Sequence, residues 1–253
     1  MILNTFSILN GIGERLERRL WKRGITTWDD FIRAQDIDFI PLHTKIRYDL
    51  QLLDLMEKLQ HENLAYLCRA IKRREHWRLF DILRDGAVCL DIETNGLRLE
   101  EGGYITVVGI YNGKDYRALV KGFDLDPLKI KSLLDGYKYL ITFNGSLFDI
   151  PFLRRCYPSL NFEIPHFDLS FAARRLGLNG GLKAIEKIFG IHRDYRVSNM
   201  NGFDAVMLWR QWQSGREEAL DLLIEYNRAD TVNLIKLAEK IYPLLRQSTG
   251  FDA

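Results

Sequence analysis

The segment Val88-Cys89-Leu90-Asp91-Ile92-Glu93-Thr94 closes a strand-length apolar run with two acids one residue apart. Side chains of a β-strand alternate between faces, so residues i and i+2 project to the same side. Asp91 and Glu93 are therefore predicted to leave one end of a buried strand together, where their repulsion calls for a cation. Hard divalent ions such as magnesium or manganese suit carboxylate oxygens. Two solvated acids at a strand end would give the same short pattern, so the choice between these readings rests on the rest of the chain.

Residues 104–111 are rich in β-branched and aromatic side chains, and Asn112-Gly113 reads as a two-residue hairpin turn returning residues 114–120 antiparallel. A helix over residues 127–134 leads by crossover into a fourth strand at 137–143. Helical patterns follow, with strand-like material at 162–167. Strands first, helices after and one crossover predict an α/β fold, a mixed sheet flanked by helices. The fourth strand runs into Asn144-Gly145-Ser146-Leu147-Phe148-Asp149, which puts a third carboxylate just inside the next helix with Asn144 as its cap. On a late helical segment Tyr226 and Asp230 lie four apart and share a face, and Leu223, Ala229 and Leu234 are predicted not to join them in one core stripe.

Residues 1–80 are predicted to form a small all-helical region ahead of a domain over 81–253; 47% hydrophobic content in 253 residues is enough for a proper core. The front region carries 14 Lys and Arg against 11 Asp and Glu, the remainder 22 against 23. This mild asymmetry is compatible with a nucleic-acid partner without requiring one. Gly11-Ile12-Gly13, followed by Arg15, Arg18, Arg19, Lys22 and Arg23, is either a tight turn between packed helices or a set of backbone amides aimed at a phosphate. A long helix over 44–80 is predicted, with Leu50, Leu53, Met56 and Leu59 as part of its apolar face. Arg69, Lys72, Arg73, Arg74 and Arg78 are read as its solvated face, and Trp77 and Phe80 as its anchor to the following domain. Cys68, Cys89 and Cys156 read as buried free thiols of a reducing compartment. With neither a leader pattern nor a spanning segment in view, a cytoplasmic protein with no membrane partner is expected.

Taken together, Asp91-x-Glu93 at a strand end, Asn144-Gly-x-x-Phe148-Asp149 after a later strand and Tyr226-x-x-x-Asp230 on a late helix resemble the three motifs of the DEDD exonuclease family, in its tyrosine-bearing subgroup. The likeness spans roughly residues 87–235 and is nearest to the small prokaryotic ribonuclease H-like exonuclease-domain proteins, whose Asn-Arg-x-Asp-x-x-Asn-Leu pattern is echoed by residues 227–234. His166-Phe-Asp168-Leu169 also fits that group, while Asp168 reads equally well as a helix N-cap. Residues 5–35 resemble a helix-hairpin-helix segment. The resemblance implies a ribonuclease H-like fold and a metal-dependent 3′→5′ exonuclease releasing nucleoside 5′-monophosphates from single-stranded DNA or RNA. It implies that Asp91, Glu93, Asp149 and Asp230 hold two divalent metal ions, with Asp91 bridging them, and that Tyr226 orients the attacking water. Thr94, Asn95, Gly96, Leu97, Asn144 and Phe148 are implied contacts of the terminal nucleotide, and Gly11, Gly13 and Arg15 contacts to the phosphates of duplex DNA. Leu97, Leu147 and Phe148 serve equally as core. Gly202 and Trp209 are placed on the far wall, Trp209 as core rather than base platform. A catalytically weak nucleic-acid-binding module and a structure-specific endonuclease are the alternatives.

Overall fold

Local capping chemistry sets the helix starts of the front region. In the computed structural model, which describes residues 1–251, Gly13 opens α1 (Glu14–Lys22), and Thr27 with Asp30 forms a reciprocal capping box on α2 (Trp28–Arg33). Helix α3 (Leu42–Gln60) stops where Glu62 takes a φ of 49°, and Asn63 caps α4 (Leu64–Ala70). A 3-10 segment, Arg73–Leu79, then leads into α5 (Phe80–Leu83). The single helix expected over 44–80 is thus broken into pieces. Its buried stripe also differs: Lys45, Tyr48, Leu52 and Leu55 follow the helical period, whereas Leu50 and Leu53 are exposed. A series of threes drifts around a helix of 3.6 residues per turn and cannot hold one face.

The chain divides into two compact units, and the division is not continuous in sequence. Among the described residues, the first takes Met1–Arg84, Glu163–His166 and 242–251; the second takes Asp85–Phe162 and Phe167–Ile241. In the first, Phe6, Leu9, Leu20, Trp28, Phe31 and Leu52 form a sealed core. Arg78 lies fully buried within this unit and is no part of a solvated basic face. Its guanidinium donates to Glu75 at 2.8 Å, to Glu17 at 3.0 Å and to Thr5 Oγ1 at 3.1 Å. A buried guanidinium persists only when its fork is paired in this way. Trp77 and Phe80 pack against Tyr242, with ring centroids 6.1 and 5.2 Å away. Ahead of Gly11 the chain forms a 3-10 turn at Ile2–Asn4 and further turns, where a helix-hairpin-helix would have an α-helix. Gly11 takes a φ of 99°, Ile12 is buried, and Gly13 and Arg15 are exposed. The three cysteines are free thiols, but only Cys89 is buried; Cys68 and Cys156 are half-buried.

Apart from His166, which belongs to the first unit, the second unit holds strands β1 (Ala87–Thr94), β2 (Ile105–Tyr111), β3 (Tyr116–Val120), β4 (Tyr139–Thr142) and β5 (His166–Asp168), in the order β3-β2-β1-β4-β5. The pairs β1·β2 and β2·β3 are antiparallel and β1·β4 is parallel, giving the mixed sheet that the strand pattern predicted. Helices α6 (Pro127–Leu134), α7 (Asp149–Cys156), α8 (Leu169–Arg175), α9 (Leu182–Ile188), α10 (Gly202–Gln213) and α11 (Glu218–Thr249) complete the order. The β2–β3 connection is not a two-residue turn. Tyr111 pairs with Tyr116, and Asn112 Oδ1 accepts from Lys114 N and Asp115 N at 3.0 and 2.8 Å, so side-chain bonding stabilises a four-residue loop. Along α11, Leu223, Tyr226, Asp230, Leu234, Leu237 and Ile241 are all buried at helical spacing. Contrary to the expectation from sequence, Leu223 and Leu234 therefore share a stripe with Tyr226 and Asp230, and the half-buried Ala229 packs against the core cluster of Leu223 and Tyr226. No helix among the described residues is long and apolar enough to cross a membrane.

Candidate active site

Strand β1 supplies the first two acids at its carboxyl end. Asp91 is half-buried and Glu93 is 8% exposed, and one carboxylate oxygen from each of Asp91, Glu93 and Asp230 falls within 4.8 Å of the others. Asp149, the first residue of α7, enters the same place, where its Oδ1 accepts from Ile92 N at 3.0 Å, between the two β1 acids. Helix α11 reaches them because β2 carries no side chain opposite Asp91. Gly109 pairs with Asp91, and a Cβ there would stand 2.0 Å from Asn227 Oδ1 and 2.5 Å from Thr231 Oγ1. Asn227 uses that approach: its Nδ2 donates to Asp91 Oδ2 at 2.8 Å and to Glu93 Oε1 at 3.4 Å, and its Oδ1 accepts from Tyr116 OH at 2.8 Å.

The turn after β4 is held differently from the expected cap. Asn144 sits at φ 66°, and its backbone N–H donates to Asp168 Oδ1 at 2.8 Å, while α7 begins beyond Phe148 with no side-chain cap. Asp168 Oδ2 accepts from Ser146 N at 2.9 Å, and Oδ1 also accepts from Ser170 N at 3.1 Å as the N-cap of α8. Asp168 is thus both a cap and the brace of the loop carrying Asp149. A Cβ on Gly145 would approach Thr142 Oγ1 to 2.3 Å, which accounts for glycine after Asn144.

A cleft of about 720 Å³ opens over these groups and is lined by Asp91, Glu93, Thr94, Gly96, Leu97, Asn144, Phe148, Asp149, Gly202, Tyr226 and Asp230. Asn95 does not line it. Its side chain accepts from Tyr104 N at 3.0 Å and donates to Gly102 O at 3.2 Å, closing its own loop. Gly96, at φ 83°, allows a close approach, since a Cβ would meet Val206 at 2.9 Å. Leu97, Leu147, Phe148 and Phe203 are 42 to 67% exposed. Trp209 is core, as expected, and its Nε1 donates to Tyr104 OH at 3.0 Å. Gly11, Gly13 and Arg15 belong to the first unit. Sequence reasoning also missed Arg98 and Arg155 on the cleft, Phe203 on its rim and, beside Asp230, Arg193. Phe203 follows the noted Gly202, and Asn227 opens the noted pattern at 227–234, so both had a local signal; Gly109 and Arg193 had none.

Burial dominates the electrostatics. It pushes Asp91 and Glu93 well above the usual carboxylate range, followed by the charge of Glu93 on Asp91 and of Asp230 on Glu93. Asp149 is pushed up to about 7, again by burial first, against a lowering by the Ile92 N–H. The Tyr226 phenol is held far above its ordinary range by burial and then by Asp230. Side chains packed this way release their strain by binding protons or a multivalent cation. Because Asp149 is raised in the folded state, its contribution is present below the unfolded value near 4 and is lost as pH rises through about 7. The melting temperature in EDTA is therefore expected to fall as pH rises from about 4 to about 7, with a shallower fall in Asp149→Asn. A divalent ion should restore stability at the upper end, and differential scanning fluorimetry across pH checks both effects.

A β3-β2-β1-β4-β5 sheet flanked by helices, with carboxylates gathered at the end of β1, is a ribonuclease H-like architecture. A family model of the RNase_H superfamily matches residues 88–242, and the chain belongs to that superfamily. Its members are mostly nucleases, which typically use divalent metals, and the cluster of Asp91, Glu93 and Asp230 is fit to hold one. A search of curated proteins finds no match.

Proposed function

We propose that the chain is a metal-dependent 3′→5′ exonuclease that hydrolyses single-stranded DNA or RNA to nucleoside 5′-monophosphates. The observation that carries this reading is the gathering of Asp91, Glu93 and Asp230 within 4.8 Å, with Asp149 hydrogen-bonded between the first two and Tyr226 one helical turn before the third. The four carboxylates would hold two divalent ions, magnesium or manganese. When bound, such ions activate water and stabilise the leaving oxygen of an in-line displacement at phosphorus. Tyr226, with its raised pKa, stays protonated and acts as a hydrogen-bond donor that orients the attacking water, not as the base. Asn227 fixes one oxygen each of Asp91 and Glu93 and so aims their remaining oxygens.

Thr94, Gly96 and Asn144 line the path of the terminal nucleotide, and the exposed rings and side chains of Leu97, Leu147, Phe148 and Phe203 suit an unstacked base, which favours single strands. Asn95 supports the reading indirectly, by shaping the loop of Thr94 and Gly96. We assign residues 81–253, whose last two positions lie outside the described residues, to the exonuclease domain and residues 1–80 to a nucleic-acid anchor. In the anchor, the amides near Gly11 and Gly13 and the side chain of Arg15 take backbone phosphates, those of duplex DNA included. Charge reversal of Arg15 and Lys22 is then expected to lower affinity for single strands. The slope of log affinity against log salt should flatten by about 0.7 for each phosphate no longer neutralised. An unchanged slope removes the anchor.

The test of the activity uses 5′-labelled and 3′-labelled oligonucleotides of DNA and RNA with Mg²⁺ or Mn²⁺. A ladder on the 5′-labelled strand with early loss of the 3′ label is expected. Cuts independent of the end would replace this reading with an endonuclease, and absence of cleavage on every substrate would leave a nucleic-acid-binding module.

A further inference from the structure

Beside Asp230 stands a cation that the proposed reaction does not use. Arg193 lies in the loop between α9 and α10, and its side chain is 4% exposed. Its Nη1 makes an ion pair with Asp230 Oδ1, while its Nε donates to Glu186 Oε2 at 2.5 Å. Glu186 is itself fixed, because its Oε1 accepts from Asn233 Nδ2 at 3.0 Å. Two asparagines six residues apart on α11 thus take part: Asn227 is bonded to Asp91 and Glu93, and Asn233 holds the glutamate that pairs with Arg193.

The two halves of the Arg193 fork are not equivalent. The Glu186 side is a directed, charge-assisted hydrogen bond. On the Asp230 side, Nη1 pairs closely with Oδ1, and Nη2 is buried with no hydrogen-bond partner. The contact with Asp230 is a close pairing of opposite charges on a carboxylate that also belongs to the acid cluster, so a multivalent cation bound there competes with it. Displacement does not strand the guanidinium, since Glu186 remains as its partner. A neighbouring cleft of about 590 Å³, lined by Arg193 together with Asp194, Asp221 and Glu225, offers it polar room. A guanidinium also stays charged at every accessible pH, so protonation cannot switch it off.

We infer that Arg193 is a built-in counter-cation that holds Asp230 in the metal-free chain and competes with a divalent ion for that carboxylate. This rests on the reading of the cluster as a metal site. Arg193 is a positioning residue: it keeps Asp230 aimed at Asp91 and Glu93 when no metal does so, and it weakens metal binding at the Asp230 side.

The test is calorimetric titration of the full chain with Mn²⁺ at pH 8, in wild type, Arg193→Met and Asp91→Asn. Wild-type binding that is lost in Asp91→Asn locates the metal; its absence defeats the metal-site reading itself. Given that binding, Arg193→Met is expected to bind Mn²⁺ at least about tenfold more tightly, because a charge opposing the ion has been removed. Equal or weaker binding overturns the competition. If Arg193→Met does not fold, wild-type protein carrying ¹⁵Nε-labelled arginine is titrated with Mg²⁺. The Arg193 resonance, assigned with Arg193→Lys, should move in step with metal occupancy, and a resonance that stays in place at saturation overturns the inference.

Discussion

Asp91→Asn is expected to lower hydrolysis of single-stranded oligonucleotides by at least about a thousandfold, about 4 kcal/mol of transition-state stabilisation. The substitution keeps the shape of the side chain and exchanges an anionic oxygen for an amide. It withdraws a proposed metal ligand from the group that also contains Glu93 and Asp230. Stability should respond in the opposite sense. Asp91 is held above the usual carboxylate range because burial and the charges of Glu93, Asp230 and Asp149 disfavour its ionised form, so removing that charge relieves repulsion. The melting temperature in EDTA is therefore expected to hold or rise while activity vanishes. The amide can keep Asn227 Nδ2 satisfied by turning its carbonyl oxygen toward it. Retention of activity within about tenfold of wild type would remove Asp91 from the chemistry.

Gly109→Ala is expected to damage both stability and turnover, although it adds one methyl group at a residue that does not line the cleft. The new Cβ would meet Asn227 Oδ1 at 2.0 Å and Thr231 Oγ1 at 2.5 Å. Neither can step aside. Both residues are fully buried, Asn227 is bonded to Asp91 and Tyr116, and Thr231 Oγ1 donates to Asn227 O at 2.7 Å. Either α11 withdraws from β2 or Asn227 gives up its bonds; overpacking of this kind costs about 1–3 kcal/mol. Withdrawal carries Tyr226 and Asp230 away from Asp91, so activity should fall by about a hundredfold or more. Urea denaturation and hydrolysis rates measure the two effects. In the double variant with Asn227→Ala the stability losses should be less than additive, since the second change vacates the space the first one needs. Strict additivity would show that the close approach is not the cause.

Much of the fold and of the candidate site was readable because it is written locally. An apolar run ending in Asp-x-Glu must be a strand that presents two acids on one side, and Tyr226 and Asp230 share a helix face by spacing alone. The reciprocal cap of Thr27 and Asp30 on α2 is local in the same way. Errors arose where a local signal met a stronger tertiary one. Asn144 has the right chemistry for a cap, but Asp168, 24 residues on, captures its amide and sets the loop instead. Arg78 looked like surface charge until Glu17, 61 residues before it, supplied a buried partner. Leu50 and Leu53 looked like core until the helix period placed Leu52 and Leu55 inside.

The sequence by itself determined which residue types are present for chemistry and on which element each one rides: two acids at a strand end, one at a helix start, a tyrosine and an acid on one helix face. Only the tertiary structure decided that these elements meet, that Gly109 is the opening through which α11 comes close, that Asn227 bonds two of the acids and that Arg193 pairs with a third. The hydrogen bonds and ion pairs involved join residues up to 136 positions apart. Periodicity and capping act over a few residues, whereas the choice of partner at such separations is made by packing and by the need to pair every buried charge.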